Sequence, residues 1–437
     1  MKKVLLIGNG AREHVIGETL KKAGAQVFTY GKVRNPGLIE LSEDYFVGGM
    51  RDFGAMRDFA LKVKPDFAFI GPDDPIADGV ADMLLELDIR SVAPLKTVAR
   101  LESSKSFTRD LVKKYGIAGN PDFKVFFSDD GMGEFLRGLG RSYVVKADGL
   151  MGGKGVKVSG DHLADETEGL AYAVECLQAA GRVIIEEKLV GQEFSLMSFC
   201  DGVDIALMPA VQDHKRAFNG DKGPNTGGMG SYSAPDHLLP FLSQKDIDKA
   251  AEIIRQVAAA LFKETGCEFK GIMYGGFIAT ASGVKLIEFN ARFGDPEAMN
   301  VLPILNTNFV HVCEAIIEGD LASLPVKFEN KATVCKYIVP QGYPDNPRKG
   351  EVITIEEMPA DVRMYYASVD QTPAGLMLSS SRAVGLVGIA DTIEAAEKLA
   401  AGACDRIKGP VFYRSDIGTA GLIESRVKMM KELRSGV

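Results

Sequence analysis

The regular alternation of strand-like and helix-like segments over the first ~120 residues is the feature that most limits the possible folds. Residues 4–7 form an uninterrupted apolar run that fits a buried parallel strand, and residues 13–23 then follow a helical pattern. Further strands are predicted at residues 26–30 and 67–70, and a further helix at residues 76–87. This alternation is typical of a doubly wound α/β domain, whose ligands bind at the carboxyl ends of the strands.

The rest of the chain predicts three further units, reached through a helical connection over residues 97–115. The second unit has strands at residues 144–146, 156–158 and 183–187. The third holds a polar, glycine-rich stretch, a helix and two strands, at residues 213–233, 247–264, 275–280 and 285–288. The last mixes short strands with one helix near residues 393–407. We therefore predict four parts, with bounds at residues 1–120, 121–190, 191–330 and 331–437.

Composition excludes several classes of function. Of 437 residues, 46% are apolar and 25% are charged, as in soluble globular proteins. The net charge is -8 and no basic stripe is present, so the sequence predicts no nucleic-acid partner. No apolar stretch is long enough to span a membrane, and the N-terminal apolar run is too short for a signal peptide. Six cysteines without a CxxC pair indicate reduced thiols, so we expect a cytoplasmic protein without a membrane partner.

A glycine turn, Gly8-Asn9-Gly10, joins the first predicted strand to the first predicted helix. The backbone N–H groups of such a turn can bind an anion. The turn resembles the start of a dinucleotide-binding fingerprint, but Glu13 occupies the position of the third glycine, and no acidic residue follows at the expected distance. A plain strand-to-helix turn is the alternative to a phosphate-binding loop.

A second glycine-rich loop, residues 148–155, lies between two predicted strands. Lys146 is on the first of these strands and Lys154 is inside the loop. Free N–H groups and lysine charges suit phosphate groups. A P-loop needs a helix after the loop, whereas a strand follows here, so a P-loop is excluded. The alternative is an ordinary β-hairpin loop.

Glu288 and Asn290 are two residues apart on a predicted strand, so both side chains should point to one face. We expect Leu286 on that face, and Ile287 and Phe289 on the opposite, buried face. The oxygen atoms of a glutamate and an asparagine suit magnesium or manganese, which can bridge to ATP phosphates. The alternative is the solvated face of an amphipathic strand.

Two polar loops and one arginine complete the candidate chemistry. Residues 212–216 place an acid, an imidazole and two cations together, and the glycines of residues 224–230 allow close backbone approach. Arg292 can hold a carboxylate or a phosphate through two parallel hydrogen bonds. Each loop alone could be an ordinary surface loop. Since no nucleophile has a base at a recognisable spacing, the pattern favours phosphoryl transfer assisted by a metal and by positive charge.

Eight segments, in this order, resemble the phosphoribosylamine–glycine ligases, also called glycinamide ribonucleotide synthetases, a family of ATP-grasp enzymes in purine synthesis. The resemblance covers nearly the whole chain. It implies an α/β architecture: an ATP-grasp fold with an N-terminal doubly wound domain and a small C-terminal mixed α+β domain. The segments are GNGAREH (8–14), IGPDDP (70–75), LESSKSFTRD (101–110), VKADGLMGGKGV (145–156), IEEKLVGQEFS (185–195), QDHKR (212–216), GPNTGGMGSYS (223–233) and IEFNARFGDPE (287–297).

The resemblance also implies a role for each matching residue. Glu288 and Asn290 would hold magnesium or manganese, and Arg292, Lys146 and Asp213 would act in catalysis. Residues assigned to ATP are Lys105, Lys146, Gly152, Gly153, Lys154, Gly155, Glu186, Glu187, Leu189 and Glu193. Residues assigned to the acceptor substrates are Gly8, Asn9, Gly10, Gly71, Pro72, Asp73, Asp213, Lys215, Asn225, Gly228 and Arg292.

The implied reaction has two steps: ATP phosphorylates the glycine carboxylate, and the amine of phosphoribosylamine then attacks the glycyl phosphate. Its partners would be these small molecules, and the protein would be a monomer or a weak homo-oligomer. The chain departs from the usual family pattern at Ala11 and Asp73, where glycine and glutamate are common. It departs again at Ser380-Ser381-Arg382, where Gly-Gly-Arg is common. These departures concern the phosphoribosylamine contacts rather than the ATP and metal roles.

Two other functions compete with this one. Another carboxylate–amine ligase of the same fold would keep Lys146, the glycine-rich loop and Glu288, but the segments at 212–216 and 224–230 argue against it. A non-catalytic nucleotide-binding or NAD-dependent protein would explain the Gly8–Gly10 turn alone. The missing third glycine and the distant pair of Glu288 and Asn290 argue against that reading.

Overall fold

A five-stranded parallel sheet begins the chain in the computed structural model, which describes residues 1–150 and 155–436. Its strand order is 3-2-1-4-5, with the first strand in the centre, and helices alternate with the strands. The strands are β1 (Lys3–Ile7), β2 (Gln26–Gly31), β3 (Asp44–Val47), β4 (Phe67–Ile70) and β5 (Ser91–Val92). The helices are α1 (Ala11–Lys22), α2 (Pro36–Leu41), α3 (Phe53–Val63), α4 (Asp73–Asp78) and α5 (Val80–Leu85).

Residues 4–7 of β1 are buried because β2 and β4 pair with the strand on its two sides and helices cover both faces. The predicted doubly wound domain is therefore confirmed. The single helix predicted over residues 76–87 is wrong: Gly79, at φ +95°, separates α4 from α5. Gly8 and Gly71 stand at the carboxyl ends of β1 and β4, next to each other.

Two helices, α6 (Lys96–Ser103) and α7 (Lys105–Lys114), replace the single helical connection predicted over residues 97–115. Ser104 separates them because its backbone is extended, with φ −140° and ψ 104°. The Ser104 hydroxyl also caps α7 by accepting a hydrogen bond from the Phe107 N–H. This break points α7 towards the strands that follow.

A four-stranded antiparallel sheet of order β6-β9-β7-β8 comes next. Helix α9 packs on β7 and β9, and α8 packs on α9. The strands predicted at residues 144–146, 156–158 and 183–187 are confirmed. Gly152, Gly153 and Lys154 lie outside the described residues. The elements are β6 (Phe123–Phe126), α8 (Met132–Leu139), β7 (Tyr143–Ala147), β8 (Val156–Val158), α9 (Glu166–Ala180) and β9 (Val183–Glu187).

A second four-stranded antiparallel sheet, of order β11-β10-β16-β17, carries much of the candidate site. The predicted polar stretch at 213–233 contains four short strands, and the predicted helix at 247–264 is confirmed as part of α10. The elements are β10 (Gln192–Cys200), β11 (Ile205–Leu207), β12 (Gln212–Asp213), β13 (Arg216–Phe218), β14 (Lys222–Asn225), β15 (Gly230–Ser233), α10 (Gln244–Thr265), β16 (Gly271–Thr280), β17 (Gly283–Asn290), α11 (Glu297–Val301) and α12 (Phe309–Glu318).

A bulge in β17 corrects the predicted faces of that strand. Leu286 pairs with Phe277 and Glu288 pairs with Gly276, so Ile287 is an extra residue on β17. Leu286 is therefore buried in the core with Phe289, on the face opposite Glu288, and Ile287 lies beside Glu288 instead. Strict alternation failed here because a bulge shifts the side-chain pattern by one residue.

A third antiparallel sheet, of order β12-β15-β18-β23-β20, joins the segment around residue 230 to the C-terminal strands. The predicted helix near 393–407 ends earlier than expected, because Ile407 belongs to a strand. The remaining elements are β18 (Ala332–Pro340), β19 (Val352–Ile355), β20 (Val362–Tyr366), β21 (Val369–Thr372), β22 (Gly375–Leu378), β23 (Val384–Ala390), α13 (Ile393–Cys404), β24 (Ile407–Lys408), β25 (Val411–Phe412) and α14 (Ala420–Ser435). None of the helices in the described residues is long and apolar enough to cross a membrane.

Candidate active site

Lys146, on β7, is buried beside an equally buried carboxylate on the neighbouring strand. Its Nζ lies 2.7 Å from Glu186 Oε2 on β9, and it donates a hydrogen bond of 3.3 Å to the Ile287 carbonyl on β17. Glu186 also receives two hydrogen bonds from Arg109 on α7, of 2.6 and 2.9 Å. The sheet register places Lys146 and Glu186 on adjacent strands, while the partner from α7 comes from far away in the sequence.

The charge on Glu186 is strongly stabilised. Burial alone would raise the pKa of its carboxyl, but the charges of Arg109 and Lys146 outweigh burial and lower that pKa to about 2. Two cations thus share one carboxylate in a buried place, where burial and the charge of Arg109 lower the pKa of Lys146 in spite of Glu186 and Glu288. Such a place suits an anionic ligand, because the alternative is an uncompensated buried charge.

The described ends of the glycine-rich loop are held by the start of α7 and by β7. The Lys105 Nζ donates a 2.7 Å hydrogen bond to the Gly149 carbonyl. The Asp148 carboxylate accepts hydrogen bonds from the hydroxyls of Ser104 and Ser106 and from the Ser106 N–H. At the other end, the Gly155 carbonyl accepts from the Ala147 N–H at 2.8 Å. Lys105, which the resemblance assigns to the ATP phosphates, therefore contacts the described start of the loop at Gly149.

The segment that follows β9 runs along the same side of the molecule. The Glu187 side chain accepts a hydrogen bond from the Asp122 N–H, and Leu189 is half-buried. Glu193, at the start of β10, is exposed, and its carboxylate lies 3.4 Å from the Lys215 Nζ. Glu193 lines a cavity together with Asp213, Lys215 and Glu288. The cavity thus joins residues predicted for ATP, for the acceptor and for the metal.

Two polar atoms beside this cavity have no hydrogen-bond partner among the described residues. They are the Oδ1 atom of Asp213 and the Nε atom of Arg292, and both are buried. A buried polar atom without a partner costs free energy, on the order of 1–3 kcal/mol. Burial and the nearby charge of Glu297 also raise the pKa of Asp213 well above its ordinary value. These features are expected where a polar ligand completes the site.

The Glu288 carboxylate is half-buried, and in the described part of the chain we find no hydrogen-bond donor to it. Burial would raise its pKa, but positive charges on Lys215, Lys146 and other nearby groups lower it. Asn290, two residues on, offers its Oδ1, which accepts one long hydrogen bond of 3.3 Å from Arg292. These oxygens fit a hard divalent cation whose other ligands are phosphate oxygens and water. The described residues contain no group of three or more His, Cys, Asp or Glu side chains that could hold a metal ion. Phosphate oxygens and water would therefore have to supply the remaining ligands.

Arg292 connects this cavity to the N-terminal sheet. Its Nη2 atom lies 2.9 Å from Glu102 Oε1 on α6, and the other Glu102 oxygen accepts from the Ala291 N–H at 2.8 Å. Arg12 also reaches this region and donates to the Phe293 carbonyl. The charges of Arg292 and Arg12 outweigh the effect of burial and lower the pKa of Asp73. Asp73 and Arg292, predicted together for the acceptor, are thus near enough for their charges to interact.

The glycine turns at Gly8–Gly10 and Gly71 are occupied by the Glu13 side chain. Its carboxylate accepts a 2.6 Å hydrogen bond from the Gly10 N–H and a 2.7 Å one from Arg12. A Cβ atom added at Gly71 would lie 2.2 Å from Glu13 Oε1, which explains why glycine is needed there. The N–H groups of Gly8 and Gly71 donate to the carbonyls of Tyr30 and Ile7. An anion at these turns must therefore use other donors nearby.

The loop containing Asn225 and Gly228 packs against the end of β12. A Cβ atom at Gly228, which has φ +108°, would lie 2.7 Å from Asp213 Oδ1. Asn225 is half-buried and pairs with Arg216 across the β13–β14 hairpin. Arg382, from the segment between β22 and β23, donates to the Gly228 carbonyl and lies 3.0 Å from Asp295 Oδ2. The C-terminal region therefore holds this loop in place.

Sequence reasoning did not identify several residues that shape the site. Glu102 and Arg109 lie within the segment LESSKSFTRD, and Glu297 ends the segment IEFNARFGDPE, so the segments gave a signal for all three. Tyr274 donates a 2.8 Å hydrogen bond to Glu297 and lines the cavity, but it lies on a uniformly buried strand that gives no signal. Arg382 stands out in the sequence only as part of the departure from the family pattern at residues 380–382.

Three family models match this chain in succession. They are the N domain of phosphoribosylglycinamide synthetase over residues 2–102, its ATP-grasp (A) domain over residues 103–298 and its C domain over residues 333–420. The chain belongs to the phosphoribosylglycinamide synthetase family. The resemblance drawn from the eight segments is thus confirmed. The two four-stranded antiparallel sheets, β6-β9-β7-β8 and β11-β10-β16-β17, lie within the residues that match the ATP-grasp domain.

Relatives in this family match over the full length. The chain is 48% identical over 434 residues to a phosphoribosylamine–glycine ligase of Methanosarcina barkeri, covering 99% of this chain and 100% of the relative. It is 49% identical over 446 residues to that of Methanocaldococcus jannaschii, with the same coverage. The crystal structure of the phosphoribosylamine–glycine ligase of Thermotoga maritima superposes with a TM-score of 0.81 at 28% identity, covering 95% of this chain and 100% of the other.

Proposed function

We propose that this protein is an ATP-dependent ligase that joins glycine to 5-phosphoribosylamine through glycyl phosphate, giving glycinamide ribonucleotide, ADP and phosphate. The observation that carries the proposal is the meeting of three predicted groups in one cavity. Glu288, assigned to the metal, lines it with Glu193, assigned to ATP, and with Asp213 and Lys215, assigned to the acceptor. The charge of Lys146 also acts on Glu288 and helps to lower its pKa. The full-length relatives named as phosphoribosylamine–glycine ligases support the same reaction.

On the ATP side, we assign the phosphates to Lys105 and Lys146. The Lys105 Nζ atom contacts the start of the glycine-rich loop, and the Lys146 Nζ atom contacts the buried Glu186 carboxylate. The segment from Glu186 to Leu189 would face the adenine, and the exposed Glu193 carboxylate would accept hydrogen bonds from the ribose hydroxyls. Magnesium or manganese would be held by Glu288 and Asn290 and would offset charge on the phosphates. The oxygen donors fit either ion.

On the acceptor side, Asp213 and Arg292 each offer a buried atom without a described partner. A carboxylate suits the ammonium group of glycine, and a guanidinium suits its carboxylate. The ribose phosphate would lie towards the turns at Gly8–Gly10 and Gly71–Asp73, next to Arg12 and Arg292, whose charges lower the pKa of Asp73. Asn225 and Gly228 would close the acceptor side.

The reaction follows from this arrangement. A glycine carboxylate oxygen attacks the γ-phosphorus of ATP, and ADP leaves with the electron pair of the broken P–O bond. The amine of phosphoribosylamine then attacks the carbonyl carbon of glycyl phosphate, and phosphate leaves. Positive charge from Lys105, Lys146 and Arg292 stabilises the negative charge that develops in these steps, and exclusion of water protects the acyl phosphate from hydrolysis.

The experiment is ADP formation from ATP with magnesium and glycine, measured with and without freshly generated phosphoribosylamine. We expect repeated turnovers to ADP only when both glycine and the amine are present, because without the amine the reaction stops at glycyl phosphate. ADP that forms without glycine, or no ADP with all substrates present, would contradict the proposed reaction. All six cysteines are free thiols, which supports a reducing compartment, and we propose the cytoplasm.

A further inference from the structure

Arg109 uses its whole hydrogen-bonding capacity inside the protein. It is buried on α7, and each of its five N–H groups has an acceptor. Two acceptors are the oxygens of Glu186, at 2.6 and 2.9 Å, and one is Asn120 Oδ1, at 3.2 Å. The other two are the carbonyls of Leu286 and Ile287, at 3.1 and 2.7 Å. One guanidinium therefore ties together α7, β9 and β17.

The two carbonyls belong to successive residues of one strand. In a regular strand, successive carbonyls point to opposite sides, so one guanidinium cannot reach both. They converge here because Ile287 is the extra residue of the bulge in β17. The same bulge turns Ile287 and Glu288 towards the cavity. Arg109 therefore stabilises the backbone that orients Glu288.

Lys146 is held by two of the groups that bind Arg109. Its Nζ contacts Glu186 Oε2 at 2.7 Å and the Ile287 carbonyl at 3.3 Å. Its position is thus fixed relative to β9 and β17 through acceptors that Arg109 itself holds. A shift of the guanidinium would move Lys146 and Glu288 with respect to each other.

We propose that Arg109 is a positioning residue that sets the distance between the phosphate-binding lysine, Lys146, and the metal-binding carboxylate, Glu288. This inference rests on the proposed function for the roles of those two residues. Arg109 reaches the nucleotide through them and through Glu186, which also belongs to the residues assigned to ATP. Its loss therefore weakens binding of the nucleotide and its metal, while the glycine side, built from Asp213 and Arg292, keeps its own contacts.

The test compares Arg109→Lys with the wild-type protein. Lysine keeps the charge but cannot supply a planar fork with five donors. We measure MgADP binding by calorimetry, and the KM values for ATP, magnesium and glycine by ADP formation. The dissociation constant for MgADP and the KM values for ATP and magnesium should rise at least ~10-fold, as expected for losing a charge-assisted hydrogen bond. The KM for glycine should stay within about twofold of the wild-type value, because the contacts of Asp213 and Arg292 with glycine do not change.

Arg434→Lys is the matched control. Arg434 also makes a bidentate pair, with Asp246 at 2.7 and 3.0 Å, but on α14 and α10. This variant should bind MgADP as the wild type does. A folded Arg109→Lys protein whose MgADP dissociation constant and magnesium requirement match the wild type would overturn the inference. An equal rise in the KM values for ATP and glycine would also overturn it, because a purely structural role would affect both substrates alike.

If Arg109→Lys does not fold, Asn120→Ala decides the question. Asn120 accepts from Arg109 Nη1 and donates to the Arg109 carbonyl, so its loss loosens Arg109 without removing a charge. MgADP binding should weaken about threefold, in line with one neutral hydrogen bond; unchanged binding would overturn the inference. Because calorimetry needs no turnover, it tests Arg109 even if the ligase reaction itself proves wrong.

Discussion

Replacing Lys336 by methionine should destabilise the C-terminal sheet more than any single surface change in that region. Lys336 lies in the middle of β18 and is fully buried. Its three ammonium protons go to the carbonyls of Ser415 and Ile417, at 2.9 and 2.8 Å, and to Glu397 Oε1, at 3.0 Å. Methionine fills most of the volume but leaves a largely buried carboxylate and two carbonyls without this donor. Removing one partner of a buried ion pair costs about 3–5 kcal/mol.

Hydrogen–deuterium exchange of the segment Ala332–Pro340 measures this cost locally, without assuming that the whole chain unfolds in one step. Since about 1.4 kcal/mol changes an equilibrium constant tenfold, exchange should become faster by about a hundredfold to a few thousandfold. Lys331→Met is the control, because Lys331 makes only an exposed pair with Asp391. Its exchange should match the wild type. If Lys336→Met also exchanges within about tenfold of the wild type, the reasoning about the buried ammonium group is refuted.

Three further changes test the site and the surface. Lys146→Ala and Glu288→Ala should each lower turnover at least ~100-fold while circular dichroism stays unchanged, because charge stabilisation is lost without loss of core packing; near-normal turnover in either variant would refute its role. Asp213→Asn should raise the KM for glycine more than the KM for ATP, since Asp213 is assigned to the glycine ammonium; an equal rise in both would refute that assignment. Arg434→Gln should lower the unfolding temperature near neutral pH. Although burial opposes it, Arg434 lowers the pKa of Asp246 below its ordinary value of 3.8, so the pair stabilises the fold above that pH. The difference from the wild type should shrink as the pH falls below 3.8, and a difference that grows in acid would contradict this reasoning.

The sequence predicted the parts of the fold that follow from periodicity. The buried run at residues 4–7 and the strands around the glycine-rich loop were found because alternating or continuous apolar patterns are local. The single helix over residues 76–87 was wrong because Gly79 adopts a left-handed backbone that interrupts it. The faces of residues 286 and 287 were wrong because a bulge depends on the partner strand, which the local pattern does not contain.

The candidate site shows the same division. Residues within the conspicuous segments, such as Lys146 and Glu288, could be selected because their chemistry is visible in a few neighbouring letters. Tyr274 could not, since it lies outside those segments and its contact with Glu297 depends on the fold. Arg109 lies inside one of the segments, but its role comes from contacts with residues far away in the chain. Their roles follow from tertiary packing, and only the fold brings those contacts together.

The sheet that contains both β15 and β18 limits how this chain can be shortened. All four residues of β15 pair with β18, and β15 directly follows the loop that holds Gly228. A shortened gene product ending before residue 332 would leave β15 with unpaired N–H and C=O groups along one side. Exposed strand edges recruit other strands, so such a fragment would self-associate rather than persist as a smaller working unit. The C-terminal part therefore cannot be removed without exposing an edge of β15. A shortened version of the protein would have to keep β15 and β18 together.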